Sequence, residues 1–335
     1  MENLAINLTT ATIPVDPAID PLIESNTKVF LNELNAGSGK PLEELPPVDA
    51  RAVLTGAQSS VTVDLSGIDV TTKTITHAGE TVQLHIVKPS GQTGILPGFM
   101  FFHGGGWVLG DFPTHQRLVR DLVVASGAAA VFVNYTPSPE AQYPVAINQA
   151  YAATQWVAAH GLEIGIDGKR LAVVGNSVGG NMAAVTALKA KEHNSPMIQL
   201  QVLLWPVTDA DFDNASYQQF ATGRFLTRNM MKWFWDNYTT DAAARRQIYA
   251  SPLQATHEQL KGLPPALVLT AENDVLRDEG EAYARKLNEA GVPVTAIRFN
   301  GMIHDWGLLN PLATVPGTRS ALLFAGAELK KALSL

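Results

Sequence analysis

The feature that most constrains the fold of this chain is the alternation of short apolar runs with stretches of helical periodicity. The apolar runs lie at 98–102, 129–134, 171–174, 200–205, 266–270 and 294–299. Helical patterns lie between or after them, at 144–160, 178–192, 278–290 and 318–333. Repeated strand–helix units build parallel sheets. This order therefore predicts an α/β fold whose mostly parallel sheet has helices on both faces.

Two antiparallel strands are expected before these units. Residues 71–76 are rich in β-branched side chains, and apolar and polar residues alternate over 82–86. Ala78 and Gly79, between the two stretches, are typical of a hairpin turn. Together with the later runs, these strands predict a sheet of about eight strands.

Two segments fall outside the strand–helix order. Residues 14–56 have helical spacing with a break at 37–41. The stretch from 209 to 247 is too long for an ordinary crossover and carries many aromatic residues. We predict that it forms a lid that packs with the N-terminal helices. The predicted divisions are an N-terminal helical cap segment at 1–65, the first part of the catalytic core at 66–208, a cap insertion at 209–247 and the second part of the core at 248–335.

Composition and charge exclude several classes of protein. The net charge is −7 and no run of Lys or Arg occurs, so a nucleic-acid partner is not expected. The lack of cysteine excludes a disulfide framework, a thiolate metal site and a cysteine nucleophile. The chain has no His-Glu-x-x-His motif, no signal-peptide pattern and no apolar stretch near the roughly 18 residues of a membrane span. We therefore expect a soluble, cytoplasmic protein without a metal.

A serine lies in a glycine-rich turn between a predicted strand and a predicted helix. Gly175, Ser177 and Gly179 form a Gly-x-Ser-x-Gly pattern directly after the run at 171–174. In this context the serine is forced onto a tight turn at the carboxyl end of the sheet. That position favours a nucleophile over a simple helix N-cap. A dinucleotide-binding fingerprint fits less well, since the required glycine spacing and following acidic residue are absent.

A second glycine-rich turn, at 103–107, follows the run at 98–102. Successive glycines let backbone N–H groups approach a ligand without side-chain obstruction, and fixed N–H donors stabilise a developing oxyanion. We assign this role to Gly105 and Gly106, with the N–H of Val178 as third donor. A flexible surface loop is the alternative interpretation. The side chain of His103 is expected to tether the loop.

A serine nucleophile needs a general base, and with a turn of this kind an acid and then a histidine follow the serine along the chain. His193, His257 and His304 follow Ser177. His193 closes a helix and His257 lies in a polar stretch, whereas His304 comes a few residues after the last apolar run. We therefore assign His304 as the base.

The carboxylate that orients the base is assigned to Asp274, which follows the run at 266–270. The main competitor, Glu272, is interpreted as structural. Asp278 and Glu279 begin the next helix, where acidic side chains suit the helix dipole.

With these motifs in this order, the chain resembles bacterial members of the hormone-sensitive lipase family of α/β-hydrolases. The resemblance rests on the motifs at 103–107, 175–180, 204–209, 274–280 and 301–304. It implies an α/β-hydrolase fold, esterase action on short acyl chains, a Ser177–His304–Asp274 triad, no cofactor and a cap built from the N-terminal helices and the insertion. Members of this family are often dimers, so the resemblance also implies that the protein could form a homodimer.

The chain departs from the family pattern beside the nucleophile and in one further segment. Asn176 and Val178 stand where the family usually has Asp and Ala. Tyr-Thr-Pro-Ser-Pro-Glu at 135–140 replaces the common Tyr-Arg-Leu-Ala-Pro-Glu. The role of Val178 as a donor survives because it uses the backbone, although the β-branched side chain narrows the site.

The sequence therefore predicts a serine carboxylesterase that hydrolyses small-molecule, short-chain acyl esters. Two alternatives stay open: hydrolysis of an amide, thioester or lactone on the same triad, and a non-catalytic ligand-binding module with this fold. Candidate substrate-binding residues are Trp107, Phe212, Phe220, Phe225 and Trp233.

Overall fold

The fold is built on an eight-stranded sheet in the computed structural model, which describes residues 15–335. The strands are β1 (Ile68–His77), β2 (Glu80–Pro89), β3 (Leu96–Phe102), β4 (Ala129–Asn134), β5 (Ile166–Asn176), β6 (Ile198–Leu204), β7 (Ala266–Asn273) and β8 (Val294–Ile303). Their order across the sheet is β1-β2-β4-β3-β5-β6-β7-β8. Pairs involving β1 or β2 are antiparallel and the others are parallel. The predicted mostly parallel sheet of about eight strands is confirmed.

The helices follow the predicted strand–helix order, with two additions outside the insertion. They are α1 (Ser25–Asn35), α2 (Pro47–Ser59), α3 (Phe112–Ser126), α4 (Val145–His160), α5 (Val178–Glu192), α6 (Ala215–Gln219), α7 (Arg228–Tyr238), α8 (Ala242–Arg245), α9 (His257–Leu260), α10 (Arg277–Glu289) and α11 (Pro316–Ala332). Two of these helices were not predicted from the sequence, α3 and the four-residue α9. Helix α3 is amphipathic, but its buried face includes the polar residues Thr114, His115 and Arg117.

Both faces of the sheet are covered, which explains the continuous apolar runs of the central strands. Phe99 and Phe101 of β3 belong to the core beneath α3 and α11, whereas Met100 and Phe102 belong to the core beneath α4, α5 and α10. Successive side chains of a strand point to opposite faces, so β3 is apolar at every one of these positions.

The predicted hairpin forms with a two-residue turn. β1 pairs with β2 from Ile68 opposite Pro89 to His77 opposite Glu80. Ala78 and Gly79 both have positive φ, at 50° and 84°. Such angles match the right-handed twist of a hairpin and favour glycine at the second position.

The sheet order opens a crevice at the end of β3. The chain runs from β3 to β4 on one side and then crosses to β5 on the other, so β3 lies between β4 and β5. Loops that leave neighbouring strands in opposite directions at their carboxyl ends leave room for a ligand. Both glycine-rich turns begin at this switch point.

The N-terminal segment and the insertion contact each other. Arg224 of the insertion hydrogen-bonds the buried carboxylate of Asp20 and the carbonyl of Val15, and Asn35 hydrogen-bonds the carbonyl of Gly223. The first 14 residues of the predicted cap segment lie outside the described residues. Among the helices of residues 15–335, none is long and apolar enough to cross a membrane.

Candidate active site

Ser177 occupies a strained turn between β5 and α5. Its φ and ψ are 56° and −122°, a region that non-glycine residues rarely adopt. The flanking glycines permit the turn: a Cβ on Gly175 would lie 2.1 Å from the carbonyl oxygen of Gly179. A Cβ on Gly179 would lie 1.9 Å from the carbonyl oxygen of Phe102. The sharp turn therefore holds the serine at the carboxyl end of the sheet.

Three predicted residues come together in one chain of hydrogen bonds. Oγ of Ser177 lies 3.0 Å from Nε2 of His304, and Nδ1 of His304 lies 2.7 Å from Oδ2 of Asp274. The other oxygen of Asp274 accepts the N–H of Leu276 at 2.9 Å. A carboxylate only accepts, so these contacts assign the proton to Nδ1 and leave Nε2 free to accept from the serine. This is the arrangement of a Ser-His-Asp triad.

The imidazole of His304 is buried between negative charges. Burial lowers its pKa, but the carboxylates of Asp274 and Asp305 and the hydrogen bond to Asp274 outweigh that effect, and the pKa of His304 lies above its ordinary value. An imidazole whose charged form is stabilised in this way is suited to accept a proton from a nucleophile.

The loop after β3 presents backbone N–H groups beside the serine turn. Gly105 and Gly106 have positive φ of 103° and 65°, and within residues 15–335 their N–H groups donate to no protein acceptor. The carbonyl of Gly105 instead accepts the N–H groups of Val108 and Leu109. Val178 is the first residue of α5, where the N–H has no partner inside the helix.

His103, the first residue of this loop, contacts both the loop backbone and Tyr135. Its Nδ1 lies 2.8 Å from the carbonyl oxygen of Gly104, and its ring stacks on Tyr135 with centroids 4.0 Å apart. Burial lowers the pKa of His103 to about 4, so the ring is neutral at pH 7. The hydroxyl of Tyr135 donates to the carbonyl of His103. The ring therefore packs in the core and holds the backbone of the loop through its hydrogen bond to Gly104.

The acidic residues around Asp274 hold the neighbouring loops. Glu272 accepts the N–H of Gly301 at 2.7 Å, in the strand end that precedes His304. Glu279 is buried and accepts the N–H groups of Thr208 and Asp209 at 2.7 and 3.3 Å, where the insertion begins. Burial raises the pKa of Glu279 well above its ordinary value. The first-turn interpretation of Glu279 missed this link to the insertion.

The other two histidines that follow the serine lie elsewhere. His193 is the residue that caps the carboxyl end of α5, at the opposite end from Ser177. His257 is exposed and pairs with Glu289.

Two of the aromatic candidates are buried in packed clusters. Trp107 is fully buried and stacks on Tyr238 with centroids 3.9 Å apart. Phe220 is buried between two guanidinium groups, those of Arg224 at 5.3 Å and Arg277 at 5.0 Å from its ring centre.

The remaining aromatic candidates are partly exposed. Phe234, which was not among the candidates, lies against the glycine loop. Phe212, Phe225 and Trp233 are half-buried. The ring of Phe234 packs on Gly106 so closely that a Cβ on the glycine would lie 2.0 Å from its Cδ1. The helical spacing of α7 placed Phe234 and Trp233 on different faces, which is the signal that could have separated them.

A buried polar link that the sequence analysis missed joins the two turns. Asn176 accepts the N–H of Gly104 at 3.0 Å and donates from Nδ2 to Oδ1 of Asp305 at 3.0 Å. Trp205 donates to the same oxygen of Asp305 at 2.6 Å. The departure at Asn176 from the usual family residue was the available signal.

Comparisons with known proteins identify the family of the chain. A family model described as alpha/beta hydrolase fold matches residues 99–308. The chain is 33% identical over 319 residues to a carboxylesterase of Mycobacterium tuberculosis, which covers 95% of this chain and 97% of the relative. It is 33% identical to an ethyl acetate hydrolase of Pseudomonas putida, over 81% of this chain and 86% of the relative.

A solved structure extends the similarity to the whole fold. The crystal structure of a thermostable esterase from Pseudomonas putida superposes with a TM-score of 0.93 at 71% identity, and covers 94% of this chain and 99% of the other. The fold predicted from the sequence, that of an α/β-hydrolase, is confirmed. The chain therefore belongs to the hormone-sensitive-lipase-like family of α/β-hydrolases.

Proposed function

We propose that this serine carboxylesterase hydrolyses short-chain acyl esters through an acyl-enzyme formed on Ser177. The observation that carries the proposal is the unbroken hydrogen-bond chain from Ser177 through His304 to Asp274. Its two links, 3.0 and 2.7 Å long, are both within the range for proton transfer and orientation of the imidazole.

In the first half of the proposed reaction, Oγ of Ser177 attacks the ester carbonyl carbon. The serine proton passes to Nε2 of His304, and Asp274 stabilises the imidazolium that forms. The carbonyl oxygen becomes an oxyanion held by the N–H groups of Gly105, Gly106 and Val178. Such donors need no reorganisation as charge develops, and loss of one typically costs about 3 kcal/mol of transition-state stabilisation.

In the second half, the proton is returned and the enzyme is regenerated. The imidazolium of His304 protonates the leaving alkoxide, so the alcohol departs and the acyl group stays on Ser177. A water molecule then gives a proton to Nε2 and attacks the acyl carbon, and the same N–H groups hold the oxyanion of this second intermediate. As that intermediate collapses, the imidazolium of His304 returns its proton to Oγ of Ser177, the carboxylic acid is released and the serine hydroxyl is restored.

The preference for short acyl chains follows from the confined surroundings of the nucleophile. Ser177 is only 4% exposed, the side chain of Val178 is fully buried, and the ring of Phe234 covers Gly106. A long acyl chain therefore has to displace packed side chains. We propose that the half-exposed Phe212, Phe225 and Trp233 of the insertion contact the substrate, whereas the buried candidates Trp107 and Phe220 pack behind that surface.

We also propose that the insertion at 209–247 and the N-terminal segment act as one cap over the site. The contact that supports this is the buried pair of Arg224 and Asp20, which joins the two segments. A homodimer and a cytoplasmic location are further proposals from the sequence. Light scattering on the purified chain tests the first, and cell fractionation tests the second.

The function is tested with p-nitrophenyl esters of increasing acyl length and a fluorophosphonate probe. We expect kcat/KM to peak between acetyl and hexanoyl esters and to fall at least about tenfold by the decanoyl ester. The probe should label the unsubstituted enzyme and not Ser177→Ala. The matched control is Ser90→Ala, which removes an exposed hydroxyl and should keep both labelling and turnover. A peak at long chains, or labelling that persists in Ser177→Ala, contradicts the proposal.

A further inference from the structure

A second carboxylate lies beside the proposed triad and is linked to the glycine loop. Asp305 follows His304, is 6% exposed and has a φ of 58°. Its Oδ1 accepts hydrogen bonds from Nδ2 of Asn176 at 3.0 Å and from Nε1 of Trp205 at 2.6 Å. The partners are 0% and 1% exposed, so the whole group is shielded from water.

The link from Gly104 through Asn176 to Asp305 allows only one order of hydrogen-bond donors and acceptors. The N–H of Gly104 is a donor, so the side chain of residue 176 has to present an acceptor to it. Asp305 has no donor when ionised, so residue 176 has to present a donor on its other side. An amide has one of each, whereas a carboxylate at 176 would face Asp305 across about 3 Å and repel it. Asn176 and Asp305 are therefore chemically matched.

The other oxygen of Asp305 faces the reacting edge of the imidazole. Its Oδ2 lies 3.8 Å from Nε2 of His304, the atom next to Oγ of Ser177. Asp274 lies at the opposite nitrogen, on the loop after β7. Asp274 and Asp305 are the two charged groups that raise the pKa of His304, against the effect of burial.

We propose that Asp305 is a positioning residue for the ester hydrolysis: through Asn176 it fixes the glycine loop, and through its free oxygen it stabilises the protonated form of His304. The inference rests on the proposed role of His304 as the base. It adds a charge on the Nε2 side of the ring, where a triad alone supplies none. It also couples two halves of the site that are 129 residues apart in the chain, Asn176 and Asp305.

The first test is Asp305→Asn, which removes the charge and keeps the shape and the Oδ1 acceptor. Loss of an anion 3.8 Å away should lower the pKa of His304, so the acid limb of the kcat/KM profile should move about 0.5 to 1 pH unit lower. At pH 8 kcat should fall about tenfold, since the imidazolium in the transition state is less stabilised. A merely structural role would not move the acid limb.

The matched control is Glu289→Gln. It removes one negative charge from a side chain that is 63% exposed. Glu289 is the last residue of α10, about 18 Å from the end of the helix that lies next to Asp274. Its pH profile should coincide with that of the unsubstituted enzyme. Melting temperatures of both variants show whether the fold is kept.

The second test is a double-mutant cycle on the matched pair. Asn176→Asp alone should lower kcat about a hundredfold, because two carboxylates then face each other. Adding Asp305→Asn removes the repulsion between the two carboxylates, and the amide at 305 donates to the carboxylate at 176 once its nitrogen takes the place of Oδ1, at the cost of the hydrogen bond from Trp205. The double variant should therefore regain at least about tenfold over Asn176→Asp.

Two results overturn the inference. One is an unchanged acid limb in Asp305→Asn, and the other is a double variant no more active than Asn176→Asp. Fluorophosphonate labelling separates these from failure of the proposed function. If the unsubstituted enzyme is not labelled at Ser177, the proposed function fails and this inference fails with it. If labelling is normal and either result above is obtained, only the inference fails.

Discussion

Replacing Gly106 by alanine should change the free energy of unfolding by an amount that follows from the backbone angle and the close contact at this residue. The residue has a φ of 65°, and a Cβ would lie 2.0 Å from Cδ1 of Phe234. An L residue in left-handed backbone costs about 1–2 kcal/mol. The overlap with a buried ring adds about 1–3 kcal/mol of overpacking. We therefore expect Gly106→Ala to lower the free energy of unfolding by about 2–5 kcal/mol.

The same change should lower catalysis by more than the loss of stability explains. Relief of the overlap requires either the ring of Phe234 or the backbone at Gly106 to move. A shift of the backbone moves one of the proposed oxyanion donors. Loss of one such donor typically lowers kcat about 10²- to 10³-fold. We expect a fall in this range for p-nitrophenyl acetate while the folded fraction remains near unity.

Gly79, another glycine of positive φ, serves as the matched control, and Gly105 gives a second test of the loop. Gly79 has a φ of 84° and open space where a Cβ would lie, so Gly79→Ala carries the backbone strain alone. It should cost about 1–2 kcal/mol of stability and leave kcat unchanged. Gly105 has a φ of 103°, and a Cβ there would lie 2.4 Å from the backbone carbonyl oxygen of Leu109. Backbone yields less than a ring, so Gly105→Ala should be the most damaging of the three.

The assay is urea unfolding followed by fluorescence, with kcat measured on each variant at saturating ester. We expect the stability loss to increase in the order Gly79, Gly106, Gly105, and activity to be lost only in the last two variants. This expectation is refuted if Gly106→Ala loses no more stability than Gly79→Ala and keeps kcat within about threefold, since the donor contribution would then be absent.

Three further changes give distinct outcomes. Asp274→Asn should lower kcat roughly 10⁴-fold and, because Asp274 raises the pKa of His304, move the acid limb of kcat/KM to lower pH; an unmoved limb would contradict the assigned role. Phe234→Leu should open space beside the glycine loop and raise the octanoyl-to-acetyl ratio of kcat/KM at least about threefold, measured with p-nitrophenyl esters, whereas an unchanged ratio would show that the ring does not limit the acyl group. Arg224→Met should leave Asp20 buried without its partner and cost about 3–5 kcal/mol in urea unfolding; a loss below about 1 kcal/mol would show that the pair is unimportant.

The sequence predicted the layered sheet and the residues at its edge because both depend on local patterns. Apolar runs of strand length between helical periods need burial on both faces, and a parallel sheet is the structure that provides it. Residues that directly follow parallel strands share one edge, so the sequence predicts that Ser177, Asp274 and His304 lie close together. The structure then brings these three within hydrogen-bond distance of one another.

Helix α3 shows where local patterns were insufficient. Its buried positions include Thr114, His115 and Arg117, which a hydrophobic period treats as exposed. They are tolerated inside because each has at least one polar partner: Asp111 for Thr114 and for Nδ1 of His115, and the carbonyl groups of Gly307 and Leu308 for Arg117. Partners nearly 200 residues away cannot be read from the helix itself.

Sequence alone determined which side chains follow the strand ends and the glycine turns, and hence the candidates for the chemistry, since these are properties of short stretches. Tertiary structure alone decided what surrounds them: the ring of Phe234 on Gly106, and the link from Gly104 through Asn176 to Asp305. These contacts join residues 72 to 129 positions apart. They depend on the order of strands in the sheet and on side-chain packing, which the periodicity of any one segment does not encode.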